Sequence, residues 1–342
     1  MRLYYFDNFR AIAILLIILG HCLGGIKFNS MPELIFSNAI RGGTSLFVFI
    51  SGFFLHRVFY LRISFVNLLK KKMIAIGVPY LMLSLIYMGI IYAITGQLFP
   101  IKPLTNLNNI EIFIVNLLTG YHLIAYWYIP FAVILFSITP LFIKFIEFNT
   151  RYQIILTCIC FAFSAFLFGR PDFNLNPLHS IIYFAPFYML GILYSLYDKK
   201  MDYYIIQSHY IIFIIFFVIL VLMAVFGQSG NLNKLHPFSY QGIDMMVFQK
   251  IALIFSLLVL TKKYLCNDNI LGRYFSKISF SLFFIHCWVL ILLEYISNSY
   301  TISPVNFYDI PLRFGFVLLI SIILIEITKK ILPSKSKYLI GS

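Results

Sequence analysis

Tyr5-Phe-Asp7-Asn-Phe-Arg10-Ala-Ile-Ala-Ile-Leu-Leu-Ile-Ile-Leu-Gly-His21-Cys-Leu-Gly-Gly25 is the stretch on which the reading of this chain turns. It is apolar enough to cross a bilayer, yet it carries Asp7, Arg10 and His21, and ionisable groups at membrane depth are costly unless they face a cavity or a partner. At about 100° per residue, Arg10 and His21 fall within about 20° of each other on a helix, and Asp7 within about 40° of His21. The three therefore share one face. A rise of about 1.5 Å per residue sets His21 about 16 Å deeper than Arg10. That leaves two readings: a functional site, or an interfacial Asp7–Arg10 pair with a hydrogen-bonded packing histidine.

The rest of the chain agrees with a membrane setting. Of 342 residues, 61% are hydrophobic and 11% charged, which describes a polytopic membrane protein. The fold class expected is all-α. Apolar runs of about 20 residues recur near 6–26, 43–61, 73–95, 125–146, 153–169, 178–197, 209–227, 242–261, 277–297 and 309–330, giving ten transmembrane helices. Most connections are short; 96–124 and 228–241, rich in Asn, Gly and Pro, read as loops. One transmembrane domain covers 1–342, with no inverted repeat visible.

The net charge of +14 does not imply nucleic acid, because the basic residues cluster between the apolar runs as topology signals do. Segments on the side of the N-terminus, including Arg57 to Lys72 and Lys329 to Lys337, hold 18 Lys and Arg. The opposite loops hold Lys27, Arg41, Lys102, Arg170 and Lys234. By the positive-inside rule, the N and C termini are cytoplasmic. Five cysteines lie mostly within apolar runs, with an odd total and no metal-like spacing, so neither a disulfide framework nor a metal site is implied. Asp7 and Arg10, and the lack of a small-residue cleavage pattern after Gly25, argue that the first helix is retained rather than cleaved as a signal peptide.

Several pieces then read together. Asp7-Asn-Phe-Arg10-Ala-Ile-Ala with His21 beyond, Ser45-Leu-Phe-Val-Phe-Ile-Ser51-Gly52, Lys70-Lys71-Lys72 leading to Pro79-Tyr80, Ala125-Tyr126-Trp127-Tyr128, Tyr183 to Gly191, and Ser279-Phe-Ser281-Leu-Phe-Phe-Ile-His286 follow in order. This series resembles the membrane-bound acyltransferase-3 family. The resemblance implies a ten-helix membrane enzyme that moves an acetyl or succinyl group from cytoplasmic acyl-CoA to a hydroxyl of a cell-envelope glycan or its lipid-linked precursor. One departure stands out: the well-studied branch often has two arginines three residues apart before the Pro-Tyr, and here Lys72 and Ala75 take those positions. The Lys-rich form is more similar to the short single-domain branch that includes exopolysaccharide O-succinyltransferases and enterobacterial-common-antigen O-acetyltransferases. The expected place is the cell (inner) membrane.

Chemistry then suggests roles. A sugar hydroxyl needs a base poised near neutrality, and His21 is expected to be that base. Arg10 would hold the pyrophosphate or pantetheine amides of CoA, with Asp7 fixing its guanidinium. Lys71 and Lys72 are topology signals and lipid anchors, or phosphate contacts for acyl-CoA. Ser51 packs beside Gly52 or reaches substrate; Trp127 belongs to an interfacial aromatic belt or stacks on the glycan. His286, at the depth of His21 and seven residues after Ser279, has a hydroxyl on its own face that could orient it. Glu111, Asp244 and Glu294 are further candidates for hydrogen bonds to sugar hydroxyls. No cofactor beyond the acyl-CoA donor is expected; partners are the glycan or lipid-linked acceptor and membrane lipids. The oligomeric state stays open. The competing readings are a polysaccharide or lipid-linked sugar transporter or flippase using the same intramembrane charges, and a non-catalytic partner of a glycan synthase.

Overall fold

Local signals set the helix boundaries in the computed structural model, which describes residues 2–62, 64–98, 107–234, 236–299 and 306–341. In chain order the α-helices are α1 (Tyr4–Cys22), α2 (Met31–Ile40), α3 (Gly43–Phe54), α4 (Phe65–Lys72), α5 (Val78–Thr95), α6 (Asn109–Thr119), α7 (Tyr128–Ser137) and α8 (Thr139–Glu147). They continue as α9 (Thr150–Ala162), α10 (Pro177–Leu196), α11 (Asp198–Gln207), α12 (His209–Val225), α13 (Met245–Val259), α14 (Ile270–Ser299), α15 (Ile310–Ile331) and α16 (Ser336–Leu339). Strand β1 (Arg170–Pro171) pairs in parallel with β2 (Asn233–Lys234).

Eight helical units among the described residues are long and apolar enough to cross a membrane, and two further pairs pass the same test but bend: α7–α8 by 53° and α11–α12 by 76°. The total is therefore eight, or up to ten if each bent pair is one span. The α7–α8 break has a local cause. Pro140 lies in the first turn of α8, and its missing N–H and ring geometry interrupt the helix.

Several helices occupy stretches that lie outside the expected spans, α2 and α6 among them. Ser30 and Glu33 close a capping box at the start of α2, so 31–40 is helical and leads into α3. Asn108 and Glu111 do the same for α6, inside the expected loop 96–124. The middle of that loop, with Lys102, lies outside the described residues. Glu111 is thereby committed: its carboxylate accepts from the Asn108 N–H at 2.9 Å.

The centre of the bundle is α1 and α10. The first packs on α14, α3 and α15, the second on α3, α7 and α9. Glycines allow the closest crossings. A Cβ on Gly52 would stand 2.0 Å from the Tyr188 carbonyl oxygen, and one on Gly191 would stand 2.1 Å from that of Phe49, so α3 and α10 touch backbone to backbone. The C-terminal segment returns to the end where α1 begins: the position of a Cβ on Gly341 is 3.4 Å from the Ala75 carbonyl oxygen.

This contact yields a stability prediction. Gly191→Val forces the α3–α10 crossing apart and is expected to cost about 1–3 kcal/mol or more. Gly89→Ala, where nothing lies within 4 Å, should leave stability nearly unchanged. Thermal unfolding midpoints of the two purified variants in one detergent decide it; equal midpoints would show that the crossing tolerates a side chain.

Candidate functional site

Because α1 is unbroken, Arg10 and His21 keep the one-face relation of the sequence. They do not, however, open into one tunnel. Arg10 lines a cavity of about 930 Å³ at the end where α1 begins, together with Arg2, Asp7, His56, Arg57 and Arg62. His21 lines a second cavity of about 360 Å³ at the opposite end, with Arg41, Trp127, Arg170, Asn231 and Lys250. Between them His21 also borders a gap of about 10 Å³ among Phe47, Tyr128, Phe280 and Phe283. The space between the two cavities is closed there by aromatic side chains, and Phe280 is the chief one. It lines the gap, and the Arg10 guanidinium sits 5.0 Å from its ring centroid.

Arg10 has no carboxylate partner among the described residues, and its Nε is buried with no hydrogen bond. The expected clamp by Asp7 is not formed. Asp7 pairs instead with Arg2 at 2.7 Å and accepts from the Ser276 hydroxyl at 3.0 Å. The contact with Phe280 is worth about 0.5–2 kcal/mol, whereas a charge at mid-membrane costs about 2.5–3.5 kcal/mol on insertion scales. Solvation from the large cavity must make up the difference. That cavity is strongly basic: Arg57 pairs with Asp198 at 3.1 Å, while Arg10 and Arg62 make no ion pair among the described residues.

The two lysines separate. Lys72 turns inward, its Nζ 4.7 Å from the centroid of Phe136 and 5.4 Å from that of Phe59, within electrostatic reach of Arg10. Lys71 is exposed. Ser51, on α3, stands beside the Tyr128 hydroxyl, and Tyr128 in turn lies within reach of Arg10. Tyr128 thus links the Arg10 side to the gap at His21.

Neither ring nitrogen of His21 hydrogen-bonds a protein group among the described residues, so the packing-histidine reading is not met. His286 is different. Its ring lies 5.4 Å from that of His21, and its Nδ1–H donates to the Leu282 carbonyl at 2.8 Å, which fixes the proton on Nδ1 and leaves Nε2 as the acceptor. The Ser279 hydroxyl donates to the Ser276 carbonyl at 2.9 Å and does not orient His286. The reason is rise: seven residues share a face but lie about 10 Å apart along the axis.

Trp127 is 5% exposed and no belt residue. It precedes α7 in a turn, stacks on Phe184 with centroids 5.9 Å apart, and carries the Arg170 guanidinium 4.7 Å over its ring. An indole already engaged by an aromatic ring and a cation is poorly placed to stack on a sugar as well. Asp244 and Glu294 are also committed. Asp244 accepts from the Tyr183 hydroxyl at 2.8 Å and caps α13 through the Met246 N–H; Glu294 pairs with Arg313 at 3.0 Å.

Residues outside the expected set complete the site: Phe280, beside Tyr128 at the gap, and Arg41, Arg170 and Lys250 around the second cavity. A signal for one was present, since Arg10, Lys250 and Arg313 are basic residues inside the expected spans that belong to neither set of loop charges. Arg170 lies in the β1 segment beyond α9; burial pushes its pKa below the usual guanidinium value, opposed by Tyr183 and Asp244 and reinforced by Arg41.

A family model described as an acyltransferase domain matches residues 3–326. The chain belongs to the acyltransferase-3 family. It is therefore a multi-pass membrane acyltransferase, an enzyme that transfers acyl groups other than aminoacyl groups. No curated protein and no solved structure matches it. Membership in a family of acyltransferases removes the ground for the transporter and the non-catalytic alternatives.

The gap makes a prediction of its own. Phe280→Ala should join the two cavities. A cysteine at Thr44, which borders both the gap and the second cavity, should then react with a membrane-impermeant thiol reagent supplied only from the Arg10 end of sealed vesicles. With Phe280 intact it should not. Equal reactivity in both backgrounds would mean that Phe280 is not the barrier.

Proposed function

We propose that this acyltransferase moves an acetyl or succinyl group from cytoplasmic acyl-CoA, bound in the basic cavity at Arg10, to a hydroxyl of a cell-envelope glycan or its lipid-linked precursor, which enters the cavity at His21. The observation that carries the reading is a pair of groups on α1 that make no side-chain hydrogen bond or ion pair among the described residues: a guanidinium open to the large basic cavity, and an imidazole at the inner limit of the other. The large cavity falls within the usual range for ligand sites of about 300–1,000 Å³. The charge distribution supports an orientation with Arg10 toward the cytoplasm. Three of the five basic residues of the opposite loops, Arg41, Arg170 and Lys234, turn into the protein rather than toward a surface: the first two line the second cavity, and the Lys234 Nζ donates to the carbonyls of Phe166, Leu167 and Ser239.

In this reading Arg10 and Lys72 hold the anionic or amide groups of CoA, and the pantetheine arm covers the roughly 16 Å to His21. Phe280 has to swing aside for the thioester to arrive. His21 takes the proton of the acceptor hydroxyl as its oxygen bonds to the acyl carbon; the carbon–sulfur bond then breaks, and the thiolate recovers the proton. Tyr128 and His286 border the reaction space, and a neutral His286 adds no repulsion to an imidazolium formed on His21. The reading puts the enzyme in the inner (cell) membrane, with the acceptor reaching His21 from outside.

Membranes carrying the protein should transfer label from acyl-CoA to envelope glycan. His21→Ala should lower that rate by about 10²–10⁴-fold with unchanged expression, and undiminished transfer would remove His21 as the base. Lys72→Met should raise the KM for acyl-CoA by about tenfold, as loss of one charge-assisted contact does, whereas exposed Lys71→Met should leave it nearly unchanged. Identical KM values for the two variants would count against the inward lysine as a donor contact.

A further inference from the structure

The second cavity holds more positive charge than its fold requires. Lys250 is 2% exposed, and its Nζ donates to the Tyr183 hydroxyl at 2.6 Å and to the Asn231 side-chain oxygen. The Tyr183 hydroxyl in turn donates to Asp244 at 2.8 Å, so the Lys250 charge is largely answered within the protein. Arg41 and Arg170 are not answered in this way. Neither makes an ion pair among the described residues. The Nε of Arg170 donates to the Asn174 side chain at 3.0 Å, and its guanidinium is braced over Trp127; among the described residues its terminal nitrogens make no hydrogen bond.

Arg41 is seated with similar care. Its Nη1 lies 2.1 Å from where a Cβ on Gly230 would stand, and Gly230 has φ +78°, so both space and backbone reserve that position for glycine. Two guanidiniums, neither in an ion pair among the described residues, line one cavity with the imidazole of His21, and Asp244 offsets their repulsion only from a distance. Fixed planar donors in this arrangement match carboxylate or phosphate oxygens.

We propose that Arg41 and Arg170 form an anion-binding subsite that takes an acidic group of the acceptor, a sugar carboxylate or the diphosphate that joins a sugar to a lipid carrier, and so orients a nearby hydroxyl toward His21. The inference rests on the reading that the acceptor enters from this cavity. It makes the acceptor an acidic molecule and assigns selectivity to two residues far from the donor.

The test uses Trp127 as a local reporter, because the chain has two tryptophans and Arg170 lies over this one. Full-length Trp288→Phe protein in an uncharged, phosphate-free detergent is titrated at constant ionic strength with inorganic pyrophosphate, D-glucuronate and D-glucose. One or both anions should change Trp127 emission saturably, and glucose should not. Adding Arg170→Gln or Arg41→Gln should raise the apparent Kd at least about tenfold, with Arg170→Lys recovering part of the loss. Arg57→Gln with Arg62→Gln, at the other cavity, should leave the titration as it was.

Response to pyrophosphate alone points to the diphosphate of a lipid carrier, and response to glucuronate alone to an acidic sugar. No saturable response to either anion, or one that survives both Arg41→Gln and Arg170→Gln in monodisperse protein, overturns the proposal. So does a response lost in the Arg57→Gln, Arg62→Gln protein. Failure here leaves the acyl-transfer reading standing if His21→Ala still abolishes transfer; unchanged transfer in His21→Ala sinks that reading while the anion titration is judged by itself.

Discussion

A charge inside a bilayer has to be answered by a partner or by water, and Arg10, Lys250 and Arg313, each inside an expected span, solve this in three ways. Arg313 meets Glu294 and the Gly24 carbonyl. Lys250 meets Tyr183 and Asn231, with Asp244 behind them. Arg10 meets neither carboxylate nor carbonyl among the described residues, and a large cavity opens beside it instead. The first two arrangements hold helices together. The third suits the proposed donor site, because a guanidinium held by one aromatic ring and open to a cavity can take up a ligand's anionic oxygens.

The helix contacts serve this arrangement. Gly52 and Gly191 bring α3 against α10, and Gly43 brings α3 against α1, where a Cβ would stand 2.5 Å from an Ile17 side-chain atom. With the backbones so close, the aromatic side chains of α3 and α14 have little room except toward the gap beside His21. Phe47, Phe280 and Phe283 fill it, and two water-reachable cavities end on either side of a thin apolar barrier. Such a barrier suits an enzyme whose donor and acceptor approach from opposite faces, since it limits leakage between transfers.

Much of this was legible in the residue order. Hydropathy gave the helical membrane class, and the spacing of Arg10 and His21 gave their shared face, because a continuous helix has one period and nothing in 4–22 interrupts it. The capping boxes Ser30–Glu33 and Asn108–Glu111 were equally readable, though each opens an apolar helix too short to cross a membrane by itself. Asp7 shows the limit. Helical proximity to Arg10 suggested a pair, but Arg2 and Ser276 compete for the same carboxylate, and Ser276 is distant in sequence.

Sequence by itself determined the class, the family and the single face that carries a guanidinium and an imidazole, since these depend on composition and on the fixed geometry of one helix. Tertiary structure alone decided which cavity each group enters, that Phe280 stands between them, that Lys72 turns in while Lys71 turns out, and that Arg41, Arg170 and Lys250 gather from separate elements around His21. Those outcomes depend on how helices cross and where side chains of remote segments meet. No local periodicity encodes a crossing, which is set by the packing of whole surfaces.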